Sequence, residues 1–245
     1  MILCLDCGNS RLKWGLRHDG DWLASGALPY DEMARLAEQL PADCVPQRVI
    51  GCNVAGIERA GQIETALSSI ADLTINWITA QEAQCGVVNG YEVPASLGAD
   101  RWAALIGARA LQHGAVLVVL AGTATTIDVL DAGGRHQGGL ILPGLKLMTS
   151  ALATGTAQLP LACGEYQPLP RNTHDAIISG AIQATLGAIS RMYAVLPSGQ
   201  EAVCLLAGGG ADSLQGHLGV PSRRIDKLVL EGLVRIATEP SSNTA

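Results

Sequence analysis

One pattern of residues occurs twice in this chain: an apolar strand, a turn of glycine and small polar residues, and a second strand. The first copy covers residues 3–14 and reads LCLDCGNSRLKW, and the second covers residues 117–128 and reads LVVLAGTATTID. A glycine in such a turn lets backbone N–H groups approach an anion closely, because no side chain stands in the way. Two such hairpins that face each other would hold the phosphates of a nucleotide. The repeat therefore predicts two similar halves, residues 1–115 and 116–245, with a duplicated phosphate-binding turn.

Periodicity predicts an α/β chain in which helices flank mixed sheets. In the first half the elements follow the order β-β-α-β-α-β, and the second half repeats the scheme. A third glycine turn, AGGGAD at residues 207–212, follows another apolar strand and could close the site from the nucleoside side. After the first hairpin, the predicted elements are a helix at 31–40 with Asp31 as N-cap, a strand at 49–54, a helix at 57–70, a strand at 73–78, a loop at 84–98, a helix to residue 112, hairpins over 116–142, a helix at 175–195, a strand at 203–206 and a helix at 226–236.

The composition is that of an acidic protein with a substantial core. Of the 245 residues 48% are hydrophobic, the net charge is −6 and the isoelectric point is 5.3. Broad binding to nucleic acid needs clustered lysine and arginine, so we expect no nucleic-acid partner and only a small polyanion as ligand. The opening apolar run is too short for a signal peptide, and the run at residues 115–121 fits a buried strand better than a membrane span. We therefore expect no membrane association.

The seven cysteines are an odd number, scattered along a chain without a secretory signature. This usage predicts reduced thiols and a cytoplasmic protein. Cys4 and Cys7 form a C-x-x-C, which could be redox-active or bind a metal. Their odd separation on a predicted strand points the two side chains to opposite faces, and no second C-x-x-C completes a zinc site. Core thiols are therefore the favoured interpretation.

Asp6 ends the first strand, just before the glycine turn. A carboxylate there can hold a divalent ion or its waters beside bound phosphates. The alternative is an Asx-type turn residue that only organises Gly8 and Asn9. Hydroxyl and amide side chains in or beside the two turns can donate to phosphate oxygens. They belong to Asn9, Ser10, Thr123 and Thr125.

Asp100 and Arg101 lie where a helix is predicted to begin. The carboxylate could accept a proton from a substrate hydroxyl, and the guanidinium could bind a carboxylate or phosphate in a forked geometry. The alternative is a helix-start charge that complements the dipole, with Arg101 in solvent. A helix N-terminus is expected to stabilise the ionised carboxylate, which suits a positioning base in phosphoryl transfer.

With these residues the chain resembles type III pantothenate kinase, a family in the superfamily of acetate and sugar kinases, heat-shock chaperone ATPases and actin. The matching pieces follow the family's order and span most of the chain: DCGNS at 6–10, GADR at 98–101, GTA at 122–124 with Thr126 and Asp128, and GGLILPG at 138–144. The resemblance implies two similar actin-like, or ribonuclease H-like, halves with mixed sheets flanked by helices. It also implies ATP-dependent phosphorylation of pantothenate to 4'-phosphopantothenate, the first step of coenzyme A biosynthesis.

The resemblance also implies site residues by position. Those for ATP phosphates are Asp6, Cys7, Gly8, Asn9, Ser10, Arg11, Leu12, Lys13, Gly122 and Thr123, with magnesium at Asp6. Those that line the pantothenate pocket are Tyr91, Gly98, Ala99 and Arg101, and Asp100 is the implied proton acceptor. Thr173 matches a family threonine that reaches the pocket from the partner subunit, which implies a homodimer. Lys13 faces the phosphates only if strand alternation holds, and a solvated lysine is the alternative.

Leu120 departs from the family pattern. The family usually carries aspartate two residues before the Gly-Thr-Ala glycine, as a ligand for a monovalent cation. An apolar side chain cannot hold potassium or ammonium, so this cation site is in doubt, and we expect weak or altered potassium activation.

Two other functions remain open. One is a non-catalytic nucleotide-binding regulator with the same fold. The loss of the acidic residue at Leu120 favours this function, whereas the presence of Asp6, Asp100 and Arg101 argues against it. The other is a kinase of a different small hydroxy compound. The five histidines show no paired metal spacing, and we assign them no role. The four tryptophans are scattered along the chain, so we expect core or interface packing for them rather than base stacking.

Overall fold

The computed structural model describes residues 1–41, 44–68, 74–196 and 202–240. They form two compact units: one holds Met1–Leu111 together with the C-terminal segment that begins at Lys227, and the other holds Gln112–Asp226. The units differ from the predicted halves at the C-terminus, because the last helix packs in the first unit. No helix in the described ranges is long and apolar enough to cross a membrane.

The first unit is built on a five-stranded mixed sheet. Its strands are β1 (Ile2–Cys7), β2 (Leu12–His18), β3 (Asp21–Leu28), β4 (Arg48–Asn53) and β5 (Ile75–Trp77), and they lie in the order β3-β2-β1-β4-β5. Neighbours among β1, β2 and β3 are antiparallel, whereas β4 runs parallel to β1 and β5 to β4. The strands predicted at 49–54 and 73–78 are confirmed as β4 and β5, although Leu73 lies outside the described residues.

The sequence analysis did not predict β3. This strand pairs with β2 across the two-residue turn Asp19-Gly20, where φ is 46° and 92°. Aspartate followed by glycine is a preferred pair for such a turn, so a hairpin signal was present. Exposed positions alternate along β3, which leaves it without an apolar run. With β3 included, the observed order is β-β-β-α-β-α-β.

Helices and a short hairpin connect and follow these strands. They are a 3-10 helix at Tyr30–Arg35 that continues as α1 (Leu36–Gln39), α2 (Ile57–Ser68), the two-residue strands β6 (Ala83–Gln84) and β7 (Val87–Val88), a 3-10 turn at Pro94–Ser96 and α3 (Ala99–Leu111). The prediction of Asp31 as N-cap was wrong, because the 3-10 helix begins directly after Pro29, whose carbonyl accepts the Glu32 N–H at 3.1 Å. The last two residues of the helix predicted at 57–70 lie outside the described ranges.

The second unit repeats the sheet of the first. Its strands are β8 (Val116–Ala121), β9 (Ala124–Leu130), β10 (His136–Pro143), β11 (Val203–Ala207) and β12 (Ser222–Arg224), in the order β10-β9-β8-β11-β12 and with the same antiparallel and parallel neighbours. Its helices are α4 (Leu145–Gly155), α5 (Thr173–Tyr193) and α6 (Ala211–Gln215). The repeat seen in two turns therefore extends through both sheets, and the predicted fold class is confirmed.

The last helix, α7 (Leu228–Thr238), packs closely on α3. A side chain on Gly232 would overlap the backbone of Ala103, and one on Gly107 would overlap the carbonyl of Leu228. Small residues on both helices thus permit a backbone contact that larger ones would prevent. Trp102 of α3 and Trp14 of β2 are buried in the same unit, which confirms a packing role for these two tryptophans.

Candidate active site

The carboxylate of Asp6 lies at the end of β1 between side chains from both neighbouring strands. Antiparallel pairing puts Lys13 of β2 opposite Asp6 on one side, and parallel pairing puts Cys52 of β4 opposite it on the other. Lys13 Nζ donates to Asp6 Oδ2 over 3.1 Å, and the Cys52 thiol donates to Oδ1 over 3.6 Å. Side chains on the strands therefore orient the Asp6 carboxylate, which favours an active role for it over that of a turn organiser.

The two glycine turns occupy equivalent places but differ in length. The first, residues 8–11, joins the last paired residues Cys7 and Leu12. The second is shorter, since pairing reaches Ala121 and Thr125 and the Gly122 N–H donates to the Ala124 carbonyl over 3.0 Å. Asn9, Ser10 and Arg11 in the first turn, like Gly122 and Thr123 in the second, are exposed. Both turns are thus accessible to a ligand.

Two further glycines pack against the second turn. A side chain on Gly144 would overlap the carbonyls of Gly122 and Thr123, and the Gly144 N–H donates to the Thr123 carbonyl over 2.9 Å. Gly208 has φ of 97°, which favours glycine, and a side chain there would overlap Ala121. The third glycine turn therefore lies beside the second turn, inside the second unit.

Asp100 is the second residue of α3 and is half-buried. Burial first, and then the negative charge of Asp6, raise the pKa of Asp100 above its usual value. The Arg101 N–H, which donates to Asp100 Oδ1 over 2.8 Å, and the Arg101 guanidinium oppose this shift without cancelling it. The N–H groups of the helix start favour the ionised carboxylate, as expected, but desolvation and the like charge of Asp6 outweigh them. A raised pKa makes Asp100 a stronger base when it is ionised.

Arg101 is buried rather than solvated, since only 4% of it is exposed. Its Nη1 donates to the Tyr91 hydroxyl over 2.7 Å, and its guanidinium carbon lies 5.3 Å from the centre of the Tyr91 ring. Tyr91 also lines a cavity of about 360 Å³, together with Gly90, Glu92, Val93 and Ser96 of the same loop. Gly98 makes room for the base, because a side chain on it would come within 2.8 Å of Asp100 Oδ1.

Thr173 begins α5 in the second unit, directly after the N-cap Asn172, whose Oδ1 accepts the Asp175 N–H over 2.9 Å. Thr173 is exposed and is one of the residues that line a mainly apolar cavity of about 580 Å³ between α4 and α5. Leu152 and Leu159 also line this cavity. The side chain is therefore available to a ligand or to another chain.

His136 and Asp128 form a buried pair that the sequence analysis missed. His136 Nε2 lies 2.9 Å from Asp128 Oδ1, and neither side chain is more than 1% exposed. The two residues join β9 to β10. His136, whose spacing from the other histidines fits no metal site, thus has the buried carboxylate of Asp128 as its partner.

The donor set around Asp6 fits magnesium that is bound together with a nucleotide. Within the described part of the chain, no group of three or more histidine, cysteine or acidic side chains forms a metal cage. Magnesium commonly binds to one or two carboxylates and completes its shell with phosphates and water. A single buried carboxylate beside a glycine turn whose residues 9–11 are exposed meets that requirement.

The structure brings several of the predicted residues together within the first unit: Asp6, Lys13, Asp100, Arg101 and Tyr91. Gly122, Thr123 and Thr173 lie in the second unit, and their participation in one site with the first group stays a prediction.

Comparison with known proteins decides the family. A family model described as type III pantothenate kinase matches residues 2–195. A type III pantothenate kinase of Aromatoleum aromaticum is 51% identical over 242 residues, which cover 99% of this chain and 100% of the relative. This chain belongs to the type III pantothenate kinase family. A second type III pantothenate kinase, from Dechloromonas aromatica, is 48% identical and covers 97% of this chain and 99% of its own.

Solved structures with low identity support the fold of this type III pantothenate kinase family member. A putative Baf family transcriptional activator from Campylobacter jejuni aligns with a TM-score of 0.63 at 20% identity, over 97% of this chain and 98% of that one. A putative 2-dehydro-3-deoxygalactonokinase from Sinorhizobium meliloti aligns with a TM-score of 0.58 at 17% identity over the same fractions. At these identities the likeness extends to the fold alone.

Sequence reasoning missed three residues around the site of this family member. Cys52 escaped notice because its position opposite Asp6 depends on the register between β1 and β4, which separate segments of sequence do not reveal. Tyr30 bonds the first turn from a neighbouring segment, and Asn89 is a buried amide in the Tyr91 loop. Asn89-Gly90 carried a signal, since the pair indicated a loop, but the contacts of the amide are tertiary.

Proposed function

We propose that this chain transfers the γ-phosphoryl group of ATP to the hydroxyl of pantothenate, yielding 4'-phosphopantothenate in the first step of coenzyme A biosynthesis. The observation that carries the proposal is the position of Asp100 in the GADR segment that matches the family, where it is half-buried and its pKa is raised by desolvation and by Asp6. Relatives of about the same length, at up to 51% identity, are named type III pantothenate kinases.

Asp100 is the proton acceptor in this proposal. The O–H bond of the pantothenate hydroxyl breaks as its oxygen attacks the γ-phosphorus, and the proton passes to an Asp100 carboxylate oxygen. The bond from the γ-phosphorus to the bridging oxygen breaks, and ADP leaves. Because phosphoryl transfer needs chiefly positioning and charge stabilisation, Asp100 serves first to orient the hydroxyl and then to receive its proton.

Residues of the glycine turns and Lys13 hold the phosphates. The Lys13 side chain is 44% exposed while its Nζ contacts Asp6, and Nζ can reach a phosphate oxygen in front of the turn. The N–H groups and polar side chains of residues 8–11 supply further donors, and we assign the second turn, Gly122-Thr123, to the same nucleotide. Magnesium bound at Asp6 would neutralise phosphate charge as ATP binds.

We assign the Tyr91 loop and Arg101 to pantothenate. The Arg101 guanidinium, which bonds the Tyr91 hydroxyl, would pair with the carboxylate of the substrate. The buried position of Arg101 strengthens such a pair, since water competes less there. Gly98 and Ala99 then border the hydroxyl that Asp100 activates.

We further propose a homodimer in which Thr173 enters the partner's pantothenate pocket. The support is the family match at Thr173, its exposed position at the start of α5, and apolar side chains that the second unit leaves exposed. These are Leu140, Ile141, Leu147, Leu152, Leu161 and Leu169.

The remaining assignments concern the surroundings of the enzyme. We propose that it works in the cytoplasm, supported by seven cysteines that are all free thiols. A net charge of −6 supports the absence of a nucleic-acid partner. No membrane partner is proposed. Leu120 supports a kinase with weak dependence on a monovalent cation.

The test is a coupled ADP-release assay with ATP, magnesium and pantothenate. We expect pantothenate-dependent turnover, and a kcat about 10²- to 10⁴-fold lower in Asp100→Asn, the range lost with a general base. Asp21→Asn is the matched control, because Asp21 is exposed at the far end of β3 and should leave turnover unchanged.

Each of the other outcomes would contradict one part of this proposal. Nucleotide binding without turnover on any acceptor would support the non-catalytic regulator. Turnover with another small hydroxy compound but not with pantothenate would reassign the substrate. Full turnover in Asp100→Asn would remove Asp100 as the base.

A further inference from the structure

The hydroxyl of Tyr30 bonds the backbone of the first glycine turn. Tyr30 begins the 3-10 helix that follows β3, and its Oη donates to the Gly8 carbonyl over 2.6 Å. The Sγ of Cys7 lies 3.1 Å from the same Oη. A side chain outside the turn motif therefore contacts both the last strand residue and the first turn residue.

The direction of each proton in this group follows from the atoms. A carbonyl oxygen only accepts, so the Tyr30 proton must point at Gly8, and the Cys7 thiol must then donate to Oη. Burial raises the pKa of Tyr30, so the hydroxyl keeps its proton. Hydrogen bonds in such a chain strengthen one another, from thiol to hydroxyl to carbonyl.

Holding the Gly8 carbonyl fixes the amide that follows it. The peptide between Gly8 and Asn9 is planar, and in a trans peptide the C=O and N–H bonds point in opposite directions. No cis peptide is present in the described chain. With the carbonyl turned toward Tyr30, the Asn9 N–H is directed to the other side of the turn, where Asn9 is exposed.

Arg59 holds the Tyr30 ring in place. The guanidinium carbon of Arg59, in the first turns of α2, lies 4.4 Å from the centre of that ring. Its Nη1 also donates to Gln62 Oε1 over 2.8 Å, which fixes the guanidinium on the helix. The ring thus lies between a fixed cation and the turn, so the hydroxyl has little freedom to leave Gly8.

We propose that Tyr30 is a positioning residue for ATP, which aims the Asn9 N–H of the first turn at a phosphate oxygen. The inference rests on the proposed function, since it needs the turn to bind a nucleotide. It predicts an effect on ATP alone, because Tyr30 contacts the turn and not the Tyr91 loop.

The experiment compares Tyr30→Phe with Tyr193→Phe. Phenylalanine keeps the ring and its contact with Arg59 and removes only the hydroxyl. Tyr193 is a matched control, since its Oη also donates to a backbone carbonyl, that of Ala202, over 2.6 Å, but at the end of α5. Both variants lose a tyrosine hydrogen bond to a backbone carbonyl, and Tyr30→Phe also loses the one from Cys7, so a loss of stability by itself is expected in both and does not test the inference.

We expect Tyr30→Phe to raise the KM for ATP roughly 2- to 10-fold, the effect of one hydrogen bond, with the KM for pantothenate unchanged. The Kd for ADP, measured by calorimetry without pantothenate, should rise by a similar factor. Cys7→Ala, which removes only the donor to Oη, should give a smaller shift in the same direction. Tyr193→Phe should leave both nucleotide constants unchanged.

Equal ATP and ADP constants in Tyr30→Phe and the parent protein would overturn the inference. So would an equal rise in the KM values for ATP and pantothenate, which would indicate a general loss of structure. If the parent protein binds ADP but never phosphorylates pantothenate, the proposed function fails while the ADP comparison still tests Tyr30.

Discussion

Asp6 and Leu120 hold the same position in the two repeats but have opposite chemistry. Asp6 lies opposite Lys13 and Cys52, which both bond its carboxylate. Leu120 lies opposite Thr126 of β9 and Ala207 of β11, and neither neighbour supplies a charge. The first repeat therefore has a carboxylate at its strand end, whereas the second offers none there.

Potassium activation tests this difference. We expect turnover in sodium alone to stay close to turnover with added potassium, because Leu120 cannot supply an anionic oxygen. Leu120→Asp should create potassium dependence, and Leu120→Asn should create less, since it lacks the charge. ADP release measured in the two salts at equal ionic strength decides the matter, and a steep potassium requirement in the parent protein would contradict the prediction.

Thermal stability gives a second test at the residue scale. Because the pKa of Asp100 is raised in the folded state, ionised Asp100 lowers the free energy of unfolding at pH values above that pKa. This destabilisation disappears at pH values below the pKa that Asp100 has in the unfolded chain. Asp100→Asn should therefore raise Tm at neutral pH, by an amount that shrinks as pH falls through the folded pKa of Asp100. Melting curves of both proteins across this range measure it, and a difference independent of pH would be inconsistent with the shift.

At the scale of elements, the loop before α3 is held by one buried amide. Asn89 Nδ2 donates to the carbonyls of Gln81 and Pro94, each over 3.1 Å, and its Oδ1 accepts the Tyr91 N–H over 3.0 Å. Only 7% of Asn89 is exposed. This single side chain connects both ends of the loop to the residue that bonds Arg101.

Asn89→Ala should loosen this loop. We expect a several-fold higher KM for pantothenate with little change in the KM for ATP, and a loss of about 1–3 kcal/mol in unfolding free energy from buried groups left without partners. Asn89→Asp keeps the oxygen that accepts the Tyr91 N–H but loses both donated bonds, to Gln81 and Pro94. This variant therefore distinguishes the effect of the donated bonds from that of the accepted one. Steady-state kinetics and denaturant unfolding provide the measurements, and an unchanged KM for pantothenate would show that the loop orders Tyr91 without this amide.

Periodicity predicted most of the elements because each strand or helix carries its own apolar pattern. It failed where a contact from elsewhere chose the local structure. The segment after Pro29 became a 3-10 helix with Tyr30 against the first turn, and β3 formed on a partner strand despite an exposed face. The structure also contains α4, α6 and β12, for which no element was predicted, so local sequence determined neither every element nor where each one begins.

At the scale of the whole molecule, the proposed dimer can be tested by introducing the same charged residue, aspartate, at one exposed isoleucine in each unit. Ile141 is 65% exposed on β10 in the second unit, and Ile57 is 91% exposed on α2 in the first. We expect Ile141→Asp to convert the dimer to a monomer and lower turnover, because a buried unpaired carboxylate opposes association. Ile57→Asp should do neither. Light scattering after size exclusion gives the mass, and a dimeric Ile141→Asp would place the interface elsewhere.

Mixing inactive variants tests whether Thr173 acts across that interface. A Thr173→Trp chain supplies an intact Asp100, and an Asp100→Asn chain supplies an intact Thr173. If Thr173 enters the partner's pocket, the mixture regains turnover that neither variant has alone, since one pocket of each heterodimer is complete. No recovery after verified subunit exchange would mean that Thr173 acts within its own chain or not at all.

The sequence by itself determined the repeat, the residue types at both turns, the acidic Asp6 and Asp100, and the family, because these are properties of short segments in a definite order. Only the tertiary structure decided what surrounds them. It placed Cys52 against Asp6, Tyr30 against Gly8 and Asn89 under Tyr91, and it raised the pKa of Asp100 through burial and through Asp6. Register, burial and charge proximity arise from contacts between distant segments, and no single segment contains them.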